Sequence, residues 1–306
     1  MLPPVNGNTQ SYLDQLSQMQ TQMVELQQQV TSGIKVQRPS DDPAAVGPIL
    51  DVQSRIAQIQ QNQTNLGQVQ TELSAGDGAL QQAILAIESA VSLASQASSL
   101  SSNPAQQSAL LQQAQGIQQT LVNISATSAG GRYIFSGDLD QQTLYVLDST
   151  QPTGVRLLAP ATSTRTVTDG SGYPVWTAKT ATDIFDAHNP DGSLSAGNVF
   201  AAINSLVTAL QAGDTAGATA SISSLKSADD YLNQQLGYYG IGETQVNDTV
   251  TSQSTALISQ QQQLSGLRDT DVASAALQLN QLSVQQQAAL TSKAKMSQLS
   301  LFNFLA

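Results

Sequence analysis

The apolar positions of this chain open and close it on helix. From Tyr12 they fall at Tyr12, Leu16, Met19, Met23, Leu26 and Val30, in alternating steps of four and three, the spacing of a heptad seam. Gly33 stops that helix, and Arg38-Pro39 imposes an extended step. Asp42-Pro43 then supplies a cap and a first helical residue: the carboxylate accepts from orphan amides and the ring presets the helical φ. Asp41 is expected to add a negative charge at the positive end of the same dipole. The next helix carries Ile49, Val52, Ile56, Ile59, Leu66, Leu73, Leu80, Ile84, Ile87 and Val91 on one seam, with Gln63 and Gln70 in seam positions. Gly76 and Gly78 weaken it by up to ~1 kcal/mol each, yet the phase holds across them and one long helix is predicted. Asn103-Pro104 repeats the cap and opens a third helix through Leu110, Ala114, Ile117, Leu121 and Ile124, expected to end around Gly130-Gly131.

From Arg132 the texture changes. Tyr133 to Phe135, Leu144 to Leu147, Val155 to Leu158 and Tyr173 to Trp176 read as strands, separated by turn-rich runs such as Thr168-Asp169-Gly170-Ser171-Gly172. Helix returns at Asn198 with Val199, Ile203, Leu206 and Leu210 on one face. After Gly213-Asp214 a further helix runs through Ile222, Leu225, Leu232 and Leu236, across Gly237-Tyr238-Tyr239-Gly240-Ile241-Gly242, to Val246, Val250, Leu257, Leu264 and Leu267. A last helix starts near Asp269 or Asp271, whose carboxylates suit its N-terminus. The expected fold is mainly α: long helices in a coiled-coil or bundle rod formed by the N- and C-terminal segments, with an inserted small β-rich domain. Its parts are terminal segments 1–40 with 269–306, a helical rod of 41–137 with 196–268, and an outward-facing β-rich insertion at 138–195. Gly- and Asp-rich turns bound that insertion, so a stretch near 141–195 is expected to be dispensable for folding.

Apolar helices at both ends of the sequence need cover, and the natural partners are each other and the same segments of neighbouring copies. A heptad stripe more often marks an intramolecular core, but its place at both termini favours an intermolecular surface. The N-terminal candidates are Leu16, Met19, Met23, Leu26 and Val30; the C-terminal ones are Leu279, Leu282, Leu290, Leu299, Leu301, Phe302 and Leu305. Composition agrees. Charged residues make up only 11% of 306, and none lies between Glu88 and Arg132. A helix normally solvates its outer face with charge, so a neutral face suits contact between copies.

A net charge of −11 with eleven scattered Lys and Arg argues against binding a phosphate backbone. Cys is absent, which removes disulfides, thiolate nucleophiles and Cys metal sites. No apolar run approaches the ~18 residues of a membrane span, and Met1-Leu2-Pro3-Pro4-Val5-Asn6-Gly7 has neither the basic nor the apolar region of a cleaved signal. His188 stands alone beside Asp186 and Asp191, a solvated loop rather than a metal site. Neither a nucleophile elbow nor a phosphate loop is present. Asp41-Asp42 and Asp269 with Asp271 read as helix starts rather than carboxylate dyads. Asn62, Asn123 and Asn247 open glycosylation-like triplets that fall on predicted helices, where chance explains them. No enzyme activity, cofactor or metal is expected.

Three segments resemble the flagellin superfamily and, within it, the hook–filament junction proteins. Val30-Thr31-Ser32-Gly33-Ile34-Lys35-Val36-Gln37-Arg38-Pro39-Ser40-Asp41-Asp42-Pro43-Ala44-Ala45 is similar to a TGK-x-x-x-PSDDPAA block, with Ser32 and Ile34 in place of commoner residues. Gly131-Arg132-Tyr133-Ile134-Phe135-Ser136-Gly137 resembles a GRYLFAG exit from the helical part, and 269–306 resembles a D-x-D-x-A…SLLNFL ending. The resemblance covers roughly 10–140 and 195–306. Where the superfamily usually opens on a short strand, this sequence has Met1-Leu2-Pro3-Pro4, so nothing is carried over there.

The resemblance implies termini paired around an axial core and a β insertion facing outward. It also implies export unfolded through the flagellar type III apparatus after a flagellar export chaperone has bound the C-terminal helix. The implied place is outside the cell in the bacterial flagellum, in a ring of identical copies between hook-associated protein 1 and the first flagellins. A flagellin filament subunit is the alternative; the Pro39-to-Pro43 and Arg132-to-Phe135 blocks count against it. A secreted coiled-coil adhesin or translocon protein would share the heptads but not those blocks together with the Ser300-to-Leu305 ending.

Overall fold

The computed structural model describes residues 7–99, 104–163, 165–168, 172 and 174–305, with backbone alone at 7–9, 175 and 296–305. Its helices are α1 (Gly7–Ser32), α2 (Pro43–Ser98), α3 (Pro104–Ser125), α4 (Ala181–Phe185), α5 (Val199–Ala212), α6 (Thr215–Arg268) and α7 (Val272–Leu305). Three small antiparallel pairs lie between α3 and α4: β1 (Ser128–Ala129) with β2 (Arg132–Tyr133), β3 (Tyr145–Leu147) with β4 (Val155–Leu157), and β5 (Thr166–Thr168) with β6 (Pro174–Thr177). The chain divides into two compact units, one of residues up to Ile59 with those from Ala256, the other of Gln60–Thr255. The mainly α fold with small β elements is the one the sequence pattern predicts.

Caps set the helix boundaries. Gly33, at φ 70°, ends α1 by donating its amide to the Gln29 carbonyl. Asp42 Oδ1 accepts from the amides of Ala44 and Ala45, each at 3.2 Å, as α2 begins at Pro43. Asp41 does something different from the expected dipole charge. Its Oδ2 accepts from the amides of Gln37 (3.0 Å) and Arg38 (2.8 Å), closing the loop back on itself. The helix α2 runs unbroken through Gly76 and Gly78, and α6 through Gly237 to Gly242. Asn198 caps α5 by accepting from the Ala201 amide, and Gly213 ends it at φ 67°. Asn103 lies outside the described residues, as do Asp169, Gly170 and Ser171.

One prediction fails at Gly130-Gly131. The helix α3 has already stopped at Ser125, and the two glycines, at φ 59° and 79°, turn the β1–β2 hairpin. Two consecutive positive φ values are what a two-residue hairpin of matching twist requires. Beyond Tyr133 the strand ends, and Ile134 and Phe135 turn into the core.

In the larger unit, Leu73, Leu80 and Ile87 of α2, Leu121 of α3, Ile203 and Leu206 of α5 and Leu225 and Leu232 of α6 are fully buried in one cluster. Tyr145, Val155, Trp176, Ile184 and Phe185 belong to that same cluster. The segment expected to be dispensable therefore has no separate core; its aromatic side chains complete the one between the helices. The Phe135 ring meets Phe185 at 5.8 Å and Tyr239 at 6.1 Å, both edge-on. Arg165 is three-quarters or more buried and bonds Glu72 of α2 at 3.0 Å, the Tyr133 carbonyl at 3.3 Å and Asp140 at 3.4 Å, which ties the strands to the helix.

Candidate assembly interface

In the smaller unit α1 and α7 pair antiparallel. The Tyr12 hydroxyl donates to the Ala289 carbonyl at 2.9 Å, and Lys293 Nζ stands 5.3 Å from the Tyr12 ring centre. At the other end the Thr270 hydroxyl reaches Gln29 Oε1 at 3.4 Å. Gly33 accepts from the Thr270 amide at 2.9 Å, and the Arg268 carbonyl accepts from the amides of Lys35 (2.7 Å) and Val36 (3.2 Å). Ile34 and Asp269 form an isolated antiparallel bridge there. This local ladder fixes where α1 ends relative to where α7 begins.

The seam of α1 lies where the heptad places it. Tyr12, Leu16, Met19, Met23, Leu26 and Val30 are all half-buried. The facing stripe on α7 is Ala275, Leu279, Leu282, Gln286, Ala289 and Lys293, again in steps of four and three. Leu279 and Leu282 thus lie on it. The other members escaped sequence reading because Ala, Gln and Lys carry no hydrophobic signal; only the α1 period, laid against α7, could have found them. Leu290 is set to one flank and is 51% exposed. The side chains of Leu299, Leu301, Phe302 and Leu305 lie outside the described residues.

Two helices cannot cover each other completely. Leu277 and Val284, on the side of α7 away from α1, are each 64% exposed, and Leu13, Val24, Leu50, Ile258 and Val272 are exposed in the same unit. Nearby, Ile34, Val36, Pro39, Val46, Ile49 and Leu50 line an open cleft of ≈ 440 Å³. Charge is scarce: α7 carries only Lys293 and Lys295, and α1 only Asp14 and Glu25. The Arg38 amide, then that of Gln37, holds the Asp41 carboxyl below its ordinary range. The Ser274 hydroxyl does most to lower Asp271.

Chemistry-bearing groups elsewhere are bound into structure. His188 Nδ1 lies 2.7 Å from the Asp186 carbonyl in the loop after α4. The Asp186 carboxylate, buried, accepts from Tyr145 at 3.1 Å and Asn198 at 2.8 Å. Burial pushes the Tyr145 hydroxyl well above its usual range. Among the described residues no group of three or more His, Cys, Asp or Glu is placed to hold a metal, and no helix is long and apolar enough to cross a membrane.

Comparison with known proteins bears on what this exposed helix pair is. Residues 5–140 match the family described as the bacterial flagellin N-terminal helical region. The flagellar hook-associated protein 3 of Escherichia coli K12 is 26% identical over 273 residues, covering 84% of both chains. Over these stretches the chain is similar to the flagellin superfamily. A second relative of the same name, from Salmonella typhimurium, is 26% identical over 204 residues, 64% of this chain and 62% of its own. Two solved structures share the fold. A flagellar hook-associated protein of Vibrio parahaemolyticus has a TM-score of 0.61 at 18% identity, covering 75% of this chain and all of its own. The flagellar hook-associated protein 3 of Legionella pneumophila has a TM-score of 0.60 at 14% identity, covering 72% and 98%. By their names, the relatives found in these comparisons are flagellar hook-associated proteins.

Proposed function

We propose that this chain is an axial adaptor at the hook–filament junction, forming a ring of identical copies between hook-associated protein 1 and the first flagellins. The observation that carries the reading is the α1–α7 pair: it aligns both terminal segments in one unit yet leaves Leu13, Val24, Leu277 and Val284 in water. Large apolar side chains left exposed on both helices are what a surface covered by neighbouring copies would supply. Similarity to a hook-associated protein 3 along 84% of its length supports the junction as the place. The match to the flagellin N-terminal region favours, as the second reading, a filament subunit.

On the adaptor reading, α7 is also the site for the export chaperone. It is late in sequence and amphipathic, and a groove that takes a helix would suit Leu279, Leu282, Leu290, Leu299, Leu301, Phe302 and Leu305 before assembly. The test is deletion of the gene in its own bacterium. Cells should keep hooks, lack filaments and shed unpolymerised flagellin into the medium. Loss of the major flagellin from the medium would favour the filament subunit, and normal filaments would overturn both readings.

A further inference from the structure

Within the larger unit, α2 and α6 run antiparallel in a fixed register that side-chain bonds report. Gln63 bonds Ser254 at 3.3 Å, Gln70 bonds Asn247 at 2.7 Å and Ser74 bonds Glu243 at 3.2 Å. Each advance along α2 is matched by an equal retreat along α6. Continued by one turn, that register sets Gly76 and Gly78 of α2 level with Gly237, Gly240 and Gly242 of α6. Five helix-interior glycines therefore share one cross-section of the helix pair.

Two of the five have steric reasons. A Cβ on Gly76 would lie 2.5 Å from the Tyr239 ring, and one on Gly242 would lie 2.5 Å from Trp176 Nε1. The other three do not: a Cβ on Gly78, Gly237 or Gly240 would meet nothing within 4 Å. Alanine would fit there and favour the helix more, so packing does not explain these glycines.

A second observation points to the same place. Trp176, the chain's single tryptophan, is only 8% exposed, and its indole Nε1 has no hydrogen-bond partner among the described residues. That nitrogen abuts the Gly242 backbone. A buried donor left unpaired is unfavourable. In a straight α6 the carbonyls of this turn are committed to amides four residues on. Bending a helix lengthens such bonds and turns carbonyls outward, which would give the indole an acceptor.

We infer that these glycines form a bending joint in the α2–α6 pair and that Trp176, lodged against it, biases the joint towards the bent state. Tyr238, level with the joint, anchors the hairpin carrying Trp176 by donating its hydroxyl to the Thr177 carbonyl at 2.6 Å. Neither reading of the flagellar role is required for this device.

Amide hydrogen exchange of the full chain tests it. In the wild type, amides of 240–245 should exchange faster than those of 228–233 and 250–255 in the same helix. Trp176→Phe keeps an aromatic ring but removes the unpaired donor, and should slow exchange at 240–245 about five-fold, the factor set by the low end of an unpaired donor's penalty. Faster exchange in that variant would make Trp176 a packing anchor and overturn the inference. Gly237→Ala with Gly240→Ala should slow exchange both there and across the pair at 78–82, with Gly116→Ala in α3 leaving both unchanged. Slowing confined to α6 would reduce the effect to helix propensity and overturn the shared joint.

Discussion

At Asp271 one carboxylate organises the start of α7. It accepts from the amides of Ala273 at 3.0 Å and Ser274 at 3.2 Å and from the Ser274 hydroxyl at 2.8 Å. Those donors, the hydroxyl first, depress its pKa. A carboxyl depressed in the folded state contributes stability above its unfolded pKa and loses it as pH falls through the folded one. The cap therefore persists at neutral pH and fails only in acid. An NMR titration of the Asp271 carboxyl should show a midpoint below the ordinary carboxylate range, moving up towards it in Ser274→Ala; an unmoved midpoint would contradict this assignment. Caps such as Asp42, Asn198 and Asp271 are legible because each accepts from amides two or three residues ahead, in the helix it opens. Asp41 is not, because its partners are amides that reach it only after the chain folds back at Gln37-Arg38.

Among the elements, long helices are the most legible, since a seam repeated over several turns outweighs isolated glycines. That is why α2 and α6 could be read across Gly76 and Gly237. The strands of two to four residues carry too little alternation to fix their ends. The strand β5 went unread because Thr166-Val167-Thr168 offers one apolar residue, and α4 because five residues make barely more than a turn, although Thr180 and Asp183 form a reciprocal capping box. What no period could report is that Tyr145, Trp176, Ile184 and Phe185 fill the helices' own core. Burying an aromatic side chain is worth roughly 3–5 kcal/mol against its truncation. Replacing 141–195 with a short Gly/Ser linker should therefore lower the helical circular dichroism signal and the melting temperature sharply; unchanged helicity would show that the helices pack without it.

For the molecule as a whole, the two sides of α7 separate folding from assembly. Leu279→Glu with Leu282→Glu places charge on the seam against α1 and should loosen that pair in the monomer. Leu277→Glu with Val284→Glu alters only residues already in water, so circular dichroism should stay as in the wild type while the variant fails to restore filaments in a deletion strain. Full rescue by the second variant would remove that side of α7 from the interface. The pairing of α1 with α7 also has a temporal side. Tyr12 and Ala289 are 277 residues apart in sequence, so α1 leaves the ribosome long before its partner is translated. Contacts so distant form late, and throughout synthesis the Leu16-to-Val30 stripe has no α7 to meet. A ribosome stalled between Thr255 and the start of α7 would thus release a chain whose larger unit can fold while its first helix remains unmatched and sticky. Quality control in the cell could tell an unfinished copy from a finished one by that helix alone.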